Sequence, residues 1–192
     1  MIDPVHPVWL SNRVEAVVHS HTQRHPDRKV DPRTPSRADM LGQRRTAVPW
    51  SIVFCDGQTV SEPIIIGGSR PPLEGRQFVF NAQDCLSLAE DYYAQEHGIR
   101  LPGLPRDWDW FARGENLIDD NWEAWGFDEV AKQDAQVGDA ILFRTGTGFT
   151  NHIGIYVGTD SLLHHSIGRL SCVDDLSRWG RFIHKVIRHN TL

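Results

Sequence analysis

Cysteine is scarce in this chain: Cys55, Cys85 and Cys172 are the only three among 192 residues. An odd, sparse set excludes a disulfide framework and leaves at least one thiol unpaired within the chain. A basic surplus is also lacking. The formal net charge is −5, whereas a general nucleic-acid binder carries an excess of Lys and Arg. The segment from Gln23 to Arg45 is locally basic, but Asp27, Asp31 and Asp39 dilute it and no aromatics interleave. No nucleic-acid partner is therefore expected. No run approaches the roughly 18 apolar residues that a membrane span needs. Residues Met1 to Pro7 show neither the basic stretch nor the apolar core of a secretory signal. The expectation is synthesis in the cytoplasm, with any outside site reached on some other carrier. Gly and Pro, at 16 and 11, are too few for a low-complexity chain.

What is present reads as two regions. Val14 to His21 looks like a strand entering a His-rich loop, and the polar, Pro-containing stretch from Thr22 to Pro35 reads as a loop. Trp50 to Cys55 is β-rich and runs into the turn signal Asp56-Gly57, and Ile64 to Ile66 is a short buried strand. Gly67 to Pro72 is the linker candidate, which sets the expected domains at 1–70 and 71–192. Beyond it, Cys85 to Gly98 has helical spacing. Leu86, Leu88, Ala89, Tyr92 and Tyr93 share one side, and Glu90, Asp91 and Glu96 the other. Asp84 or Asn81 can cap its start and Gly98 can end it. A Trp-rich stretch follows from Asp107 to Phe127, read as core or groove wall, with a glycan-facing surface as the alternative. Gly138 to Phe143, His152 to Val157, Ser161 to His165 and Phe182 to Ile187 then read as consecutive strands. A helix followed by an antiparallel sheet is an α+β pattern.

A thiol nucleophile needs help in becoming a thiolate, a base beside it and a third group that orients the base. Cys85 falls in the first turn of the expected helix, where the macrodipole and free amides favour negative charge and can stabilise an oxyanion. Asp84 opposes this by charge unless its carboxylate is occupied in capping. His152 opens an alternating strand and shares a face with Gly154 and Tyr156. On the next strand His164 and His165 fall on opposite faces, so only one can join His152. The parity of the connecting loop decides which, and alternation alone leaves both open. Cys55 and Cys172 read as packing residues or exposed thiols. His25, His97, His184 and His189 read as surface or structural.

These residues carry a family resemblance. Asp84-Cys85-Leu-Ser-Leu-Ala89 resembles the Asp-Cys-Ser-Gly-Leu-Val nucleophile motif of the NlpC-type cell-wall cysteine peptidases. Gln136 to Phe143 resembles their Pro-Gly-Asp-Leu-Leu-Phe strand, and His152-Ile-Gly-Ile-Tyr-Val-Gly158 their His-Val-Gly-Ile-Tyr-Val-Gly strand. The resemblance covers about Gly75 to His189. It implies a papain-like domain with Cys85 as nucleophile, His152 as base and His164 as third residue, and no cofactor. Its implied reaction is cleavage of peptidoglycan stem peptides, typically between D-glutamate and diaminopimelate. Phe78 stands where many cellular members carry Tyr, and Leu86-Ser87 replaces their Ser-Gly.

Asp107-Trp-Asp-Trp110, Asn116 to Asn121 and Leu162 to Ser166 further resemble a family of phage tail assembly proteins that fuse a JAMM/MPN metallopeptidase domain to an NlpC-type domain. His19-Ser-His21 puts two imidazoles on one face of an extended segment, a zinc-ligand spacing. With Ser36-Arg-Ala-Asp39 it resembles the JAMM pattern His-x-His then Ser-x-x-Asp. That resemblance implies a zinc site of His19, His21 and Asp39. The gap from His21 to Ser36 is longer than in that family. Glu15, the sole upstream Glu, lies about 13 Å of strand from His19, too far to be its base. The segment 1–70 is therefore expected to be a partial α/β JAMM/MPN fold that docks on other tail proteins. The functional expectation is a hydrolase at the phage tail tip acting in the host periplasm or wall. The rivals are a structural tail-assembly protein with a non-catalytic peptidase fold, and a thiol acyltransferase.

Overall fold

Trp50 to Phe54 alternates buried and half-buried side chains, as a strand covered on one face must. In the computed structural model, which describes residues 14–24, 30–69, 71–110 and 112–192, it is the centre of a three-stranded sheet. Strand β1 (Val17–His21) lies parallel to β2 (Trp50–Phe54), and β3 (Ile64–Ile66) lies antiparallel on the other side of β2. The parallel pair is joined through helix α1 (Arg37–Thr46), as parallel strands require a crossover. Ser36 and Asp39 form a reciprocal capping box at the start of α1, and Ala47 ends it in the left-handed conformation. Trp50 sits under the helix: its indole Nε1 donates to Thr46 Oγ1 at 2.9 Å, and a Cβ on Gly42 would stand 2.7 Å from the indole ring. Trp50, Ile52, Ile64, Ile66 and Val79 form this core. Strand β1 starts at Val17 rather than Val14. His25 lies outside the described residues. Residues 79–82 and 105–107 group with 1–70 in this first compact unit. Within it Asn81, which the sequence offered as a helix cap, donates instead to the carbonyls of Pro35 and Arg106.

The second unit holds 71–78, 83–104 and 108–192. Its helix α2 (Cys85–Glu96) is capped by Asp84, whose carboxylate accepts from the amides of Leu86 and Ser87. Gly98, at φ +68, follows its C-terminus, a conformation that costs glycine little. Six antiparallel strands form its sheet: β4 (Phe127–Val130), β5 (Ala140–Phe143), β6 (His152–Gly158), β7 (Ser161–His164), β8 (Cys172–Asp175) and β9 (Ile183–His189), in the order β4-β9-β5-β6-β7-β8. Helix α2 packs on β6 and β7, and Tyr93 ties it to the start of β5 by donating to the Gly138 carbonyl at 2.7 Å. The α+β pattern holds, but two strands were not legible in the sequence. Both β4 (Phe-Asp-Glu-Val) and β8 (Cys-Val-Asp-Asp) are sheet edges, where acidic residues discourage further pairing and blur the apolar signal.

Asp91 departs from the expected exposed face of α2. It is buried and paired at 2.7 Å with Arg76, whose side chain is 2 % exposed. Arg76 also donates to the carbonyls of Pro71 and Pro72. Helical spacing assigned Asp91 to solvent because a partner distant in sequence is invisible to periodicity. Replacing Asp91 with Ala strands a buried guanidinium. The expected loss is about 3–5 kcal/mol in denaturant unfolding.

Candidate active site

Strand β6 begins where it does because the preceding loop is pinned. The Asp119 carboxylate accepts from Thr150 Oγ1 at 2.6 Å, from the Thr150 amide at 3.1 Å and from Arg144 Nη2 at 3.3 Å. Burial pushes the Asp119 carboxyl up, but these donors outweigh it and hold it below the ordinary range. Asn151 closes the same loop by accepting from the amide and hydroxyl of Thr145. His152 follows directly, buried at the head of β6.

Cross-strand pairing then sets the partner. Gly154 stands opposite His164 and Tyr156 opposite Leu162, so His152, Gly154, Leu162 and His164 share one face. His152 Nε2 and His164 Nδ1 are 3.0 Å apart, within hydrogen-bond distance. His165, next in sequence, packs its ring edge-on against Phe78 at 5.2 Å. Of the two adjacent histidines, the structure brings His164 to His152. Gly154 permits this meeting, because a Cβ there would lie 2.6 Å from Leu162 Cδ1 and 3.1 Å from His164 Cβ.

Two aromatic walls enclose the pair. Trp179, just after the 3-10 turn Leu176–Arg178, stacks on His152 at 5.3 Å and meets His164 edge-on at 4.6 Å. Phe143 lies 5.6 Å from His152. Burial lowers the pKa of His152 to about 3, with His164 and His165 adding to the shift and Asp84 opposing it. Burial also lowers His164 to about 4, opposed by Asp174 and reinforced by Arg169 and His165. Both rings are neutral at pH 7.

Cys85 is the first residue of α2, half-buried and outside any disulfide. The influence of Asp84 on both His152 and His165 puts the N-terminal end of α2 within electrostatic range of the histidines. The Asp84 carboxylate is occupied in capping, and it engages the Leu86 and Ser87 amides that the sequence had offered to an oxyanion. Asp174 and Trp179 escaped the sequence reading. Alternation along Cys172–Asp175 was the available signal for Asp174, hidden because that edge strand was not seen. Cys172 lies on the same strand, directly opposite His164.

In the first unit, His19 and His21 do meet Asp39. His19 Nε2 is 3.3 Å from Asp39 Oδ1, and His21 Nε2 is 3.3 Å from Asp39 Oδ2. One ligand atom from each residue lies within 4.8 Å of the other two.

The profile of the NlpC/P60 family matches residues 64–188. The chain belongs to the NlpC/P60 family. It is also 35% identical over 181 residues to tail tip assembly protein K of Escherichia phage lambda, covering 94% of this chain and 84% of that protein. The protein of the same name in Escherichia phage N15 is 34% identical, covering 82% of this chain and 62% of its own length. Among solved structures, an NLP/P60-family lipoprotein-like protein of Staphylococcus aureus is similar, with a TM-score of 0.45 and 23% identity over 60% of this chain and 37% of that one. The NlpC/p60 domain of the peptidoglycan hydrolase SagA has a TM-score of 0.39 and 19% identity, covering 57% and 77%.

Two consequences are measurable. The folded rings of His152 and His164 stay neutral, while an unfolded His takes a proton below about 6.5. The unfolded state therefore binds more protons, and stability falls as pH drops from about 6.5 toward 4, levelling near 3. Denaturant melts across that range should show a shallower slope in His164→Gln. Gly154→Ala should cost about 1–3 kcal/mol by overpacking, with His164 NMR signals displaced.

Proposed function

We propose that this protein is a tail-associated peptidoglycan hydrolase, with residues 71–192 forming a papain-like cysteine peptidase domain. Cys85 is the nucleophile, His152 the base and His164 the orienting residue. The observation that carries the reading is the buried contact between His152 Nε2 and His164 Nδ1, beside a helix that begins at Cys85. With Nε2 engaged, Nδ1 is the nitrogen of His152 that takes a proton. His152 removes the Cys85 proton as Sγ attacks the carbonyl of a stem-peptide bond. The imidazolium then protonates the departing amine, leaving an acyl thioester. His152 next deprotonates the water that hydrolyses the thioester, and the thiol is restored. The imidazole is neutral at pH 7 and so able to accept a proton, while burial weakens it as a base. The bond cleaved is proposed to be of the D-glutamate–diaminopimelate type. The relatives' names support a place at the tail tip, with action in the host periplasm or wall during genome entry.

Digestion of purified peptidoglycan, followed by mass spectrometry of the released fragments, tests this. Cys85→Ala and His152→Ala should abolish release. His164→Ala should slow it by ~10 to 10³, less than the ~10⁴ seen when a carboxylate orienter is lost from a serine triad. His165→Ala should change the rate little. Loss of activity in His165→Ala with retention in His164→Ala would reverse the assignment. Unchanged fragments with wild-type protein would favour a structural tail-assembly role.

The cluster of His19, His21 and Asp39 favours a second reading for residues 1–70, a zinc site on a partial JAMM/MPN-like fold. His21 Nδ1 donates to the Pro32 carbonyl at 2.8 Å, which leaves Nε2 for a metal, as outer-shell partners of zinc ligands do. A bound zinc would supply Lewis acidity there. Val18 and Ile65 are exposed on the sheet face opposite α1, which supports docking of this segment on other tail proteins. Zinc should raise the melting temperature of wild-type protein and leave that of Asp39→Ala unchanged. Equal shifts in both would remove the zinc reading.

A further inference from the structure

The contact between His152 and His164 has a tautomeric ambiguity. Either ring can donate across it, and only one choice makes a base. If His152 Nε2 carries the proton and donates, His152 Nδ1 is bare and can accept from a thiol. If His164 Nδ1 donates instead, His152 carries its proton on Nδ1 and cannot act as a base there. A third group must decide between the two.

His164 Nε2 is buried and has no hydrogen-bond partner among the described residues. A carboxylate oxygen, Asp174 Oδ2, stands 3.8 Å away, beyond a hydrogen bond but close enough for charge to act strongly in a buried site. We propose that Asp174 is a positioning residue: its carboxylate holds the His164 proton on Nε2, which leaves His164 Nδ1 to accept from His152 and keeps His152 Nδ1 free as the base. The proposal rests on the hydrolase reading above.

The surroundings suit that task. Asp174 sits on β8 opposite Leu162, on the face that holds His164, and its side chain is 10 % exposed. Burial pushes its carboxyl up, but the Asp175 amide, the Trp179 indole and Arg178 outweigh burial and keep it ionised. Trp179 Nε1 lies 3.5 Å from Oδ2, Arg169 Nη1 3.6 Å from Oδ2, and Arg178 Nη1 3.3 Å from Oδ1. These donors hold the carboxylate in place. The same Trp179 stacks on His152, so one indole touches both ends of the chain of polar groups. Ser166 Oγ lies 3.3 Å from His164 Nδ1, and its hydroxyl can donate to or accept from that nitrogen, so it leaves the choice to Asp174. Among the described residues His165 also acts on both rings, Asp84 acts on His152, and Cys172 stands opposite His164.

The test is ¹⁵N NMR of the histidine rings at pH 7, together with peptidoglycan hydrolysis. Wild-type His164 should carry its proton on Nε2. In Asp174→Ala the proton should redistribute toward Nδ1, and kcat should fall by about tenfold to a hundredfold, below the wrong-tautomer loss of a serine triad, with KM little changed. Asp174→Asn, which removes the charge, should show the same redistribution as Asp174→Ala, and Asp174→Glu, which keeps the charge, should recover the wild-type tautomer and part of the rate. On a His164→Ala background, Asp174→Ala should add no further loss. A wild-type His164 protonated on Nδ1 overturns the proposal without any variant. An unchanged tautomer in Asp174→Ala also overturns it. Failure of wild-type protein to hydrolyse peptidoglycan would instead strike the hydrolase reading, since the ring tautomers are read independently of activity.

Discussion

A hydrogen bond between two buried imidazoles organises this molecule. The 3.0 Å contact between His152 and His164 requires two strands in one register, a residue without a side chain at position 154, and a loop that starts β6 at the right residue. The hairpin supplies the register and Gly154 the space. The loop is fixed by Asp119, which grips Thr150 two residues before His152. Each is a local device, and together they place two uncharged rings in a buried site. A charged histidine there would be costly, which is why both rings are pushed well below their ordinary range.

The same burial shapes the chemistry. A neutral imidazole carries one nitrogen that donates and one that accepts, and the start of α2 lies within electrostatic range of His152. The cost is borne by the fold, which must keep polar atoms such as His164 Nε2 away from solvent. Asp174 stands 3.8 Å from that nitrogen, and Arg169, Arg178 and Trp179 surround its carboxylate as a polar shell at the edge of the sheet. The second core, built from Ile141, Phe143, Leu162 and Val186 with Trp179 packed against it, ties this shell to the interior.

Much of this was legible in the sequence because the signals were local. The apolar spacing from Leu86 to Tyr93 marked α2, and alternation in His152 to Val157 marked β6. The choice between His164 and His165 was not legible from alternation, since loop parity was unknown; the family resemblance implied His164, and cross-strand register brings that ring to His152. Three features were hidden for physical reasons. Strands β4 and β8 are acidic edges that lack an apolar stripe. Asp91 faces inward because Arg76, distant in sequence, neutralises it. Asp174 belongs to one of those unseen edges, so its approach to His164 depends on a pairing that residue pattern did not announce.

The central claim is that Cys85 reacts as a nucleophile because His152 takes its proton. Mass-spectrometric rates of iodoacetamide labelling near neutral pH test it directly, since Cys55 and Cys172 serve as references within the same chain. The account predicts that Cys85 labels faster than both, and that His152→Ala in a folded protein removes the difference. Equal labelling of Cys85 in wild type and His152→Ala would contradict it.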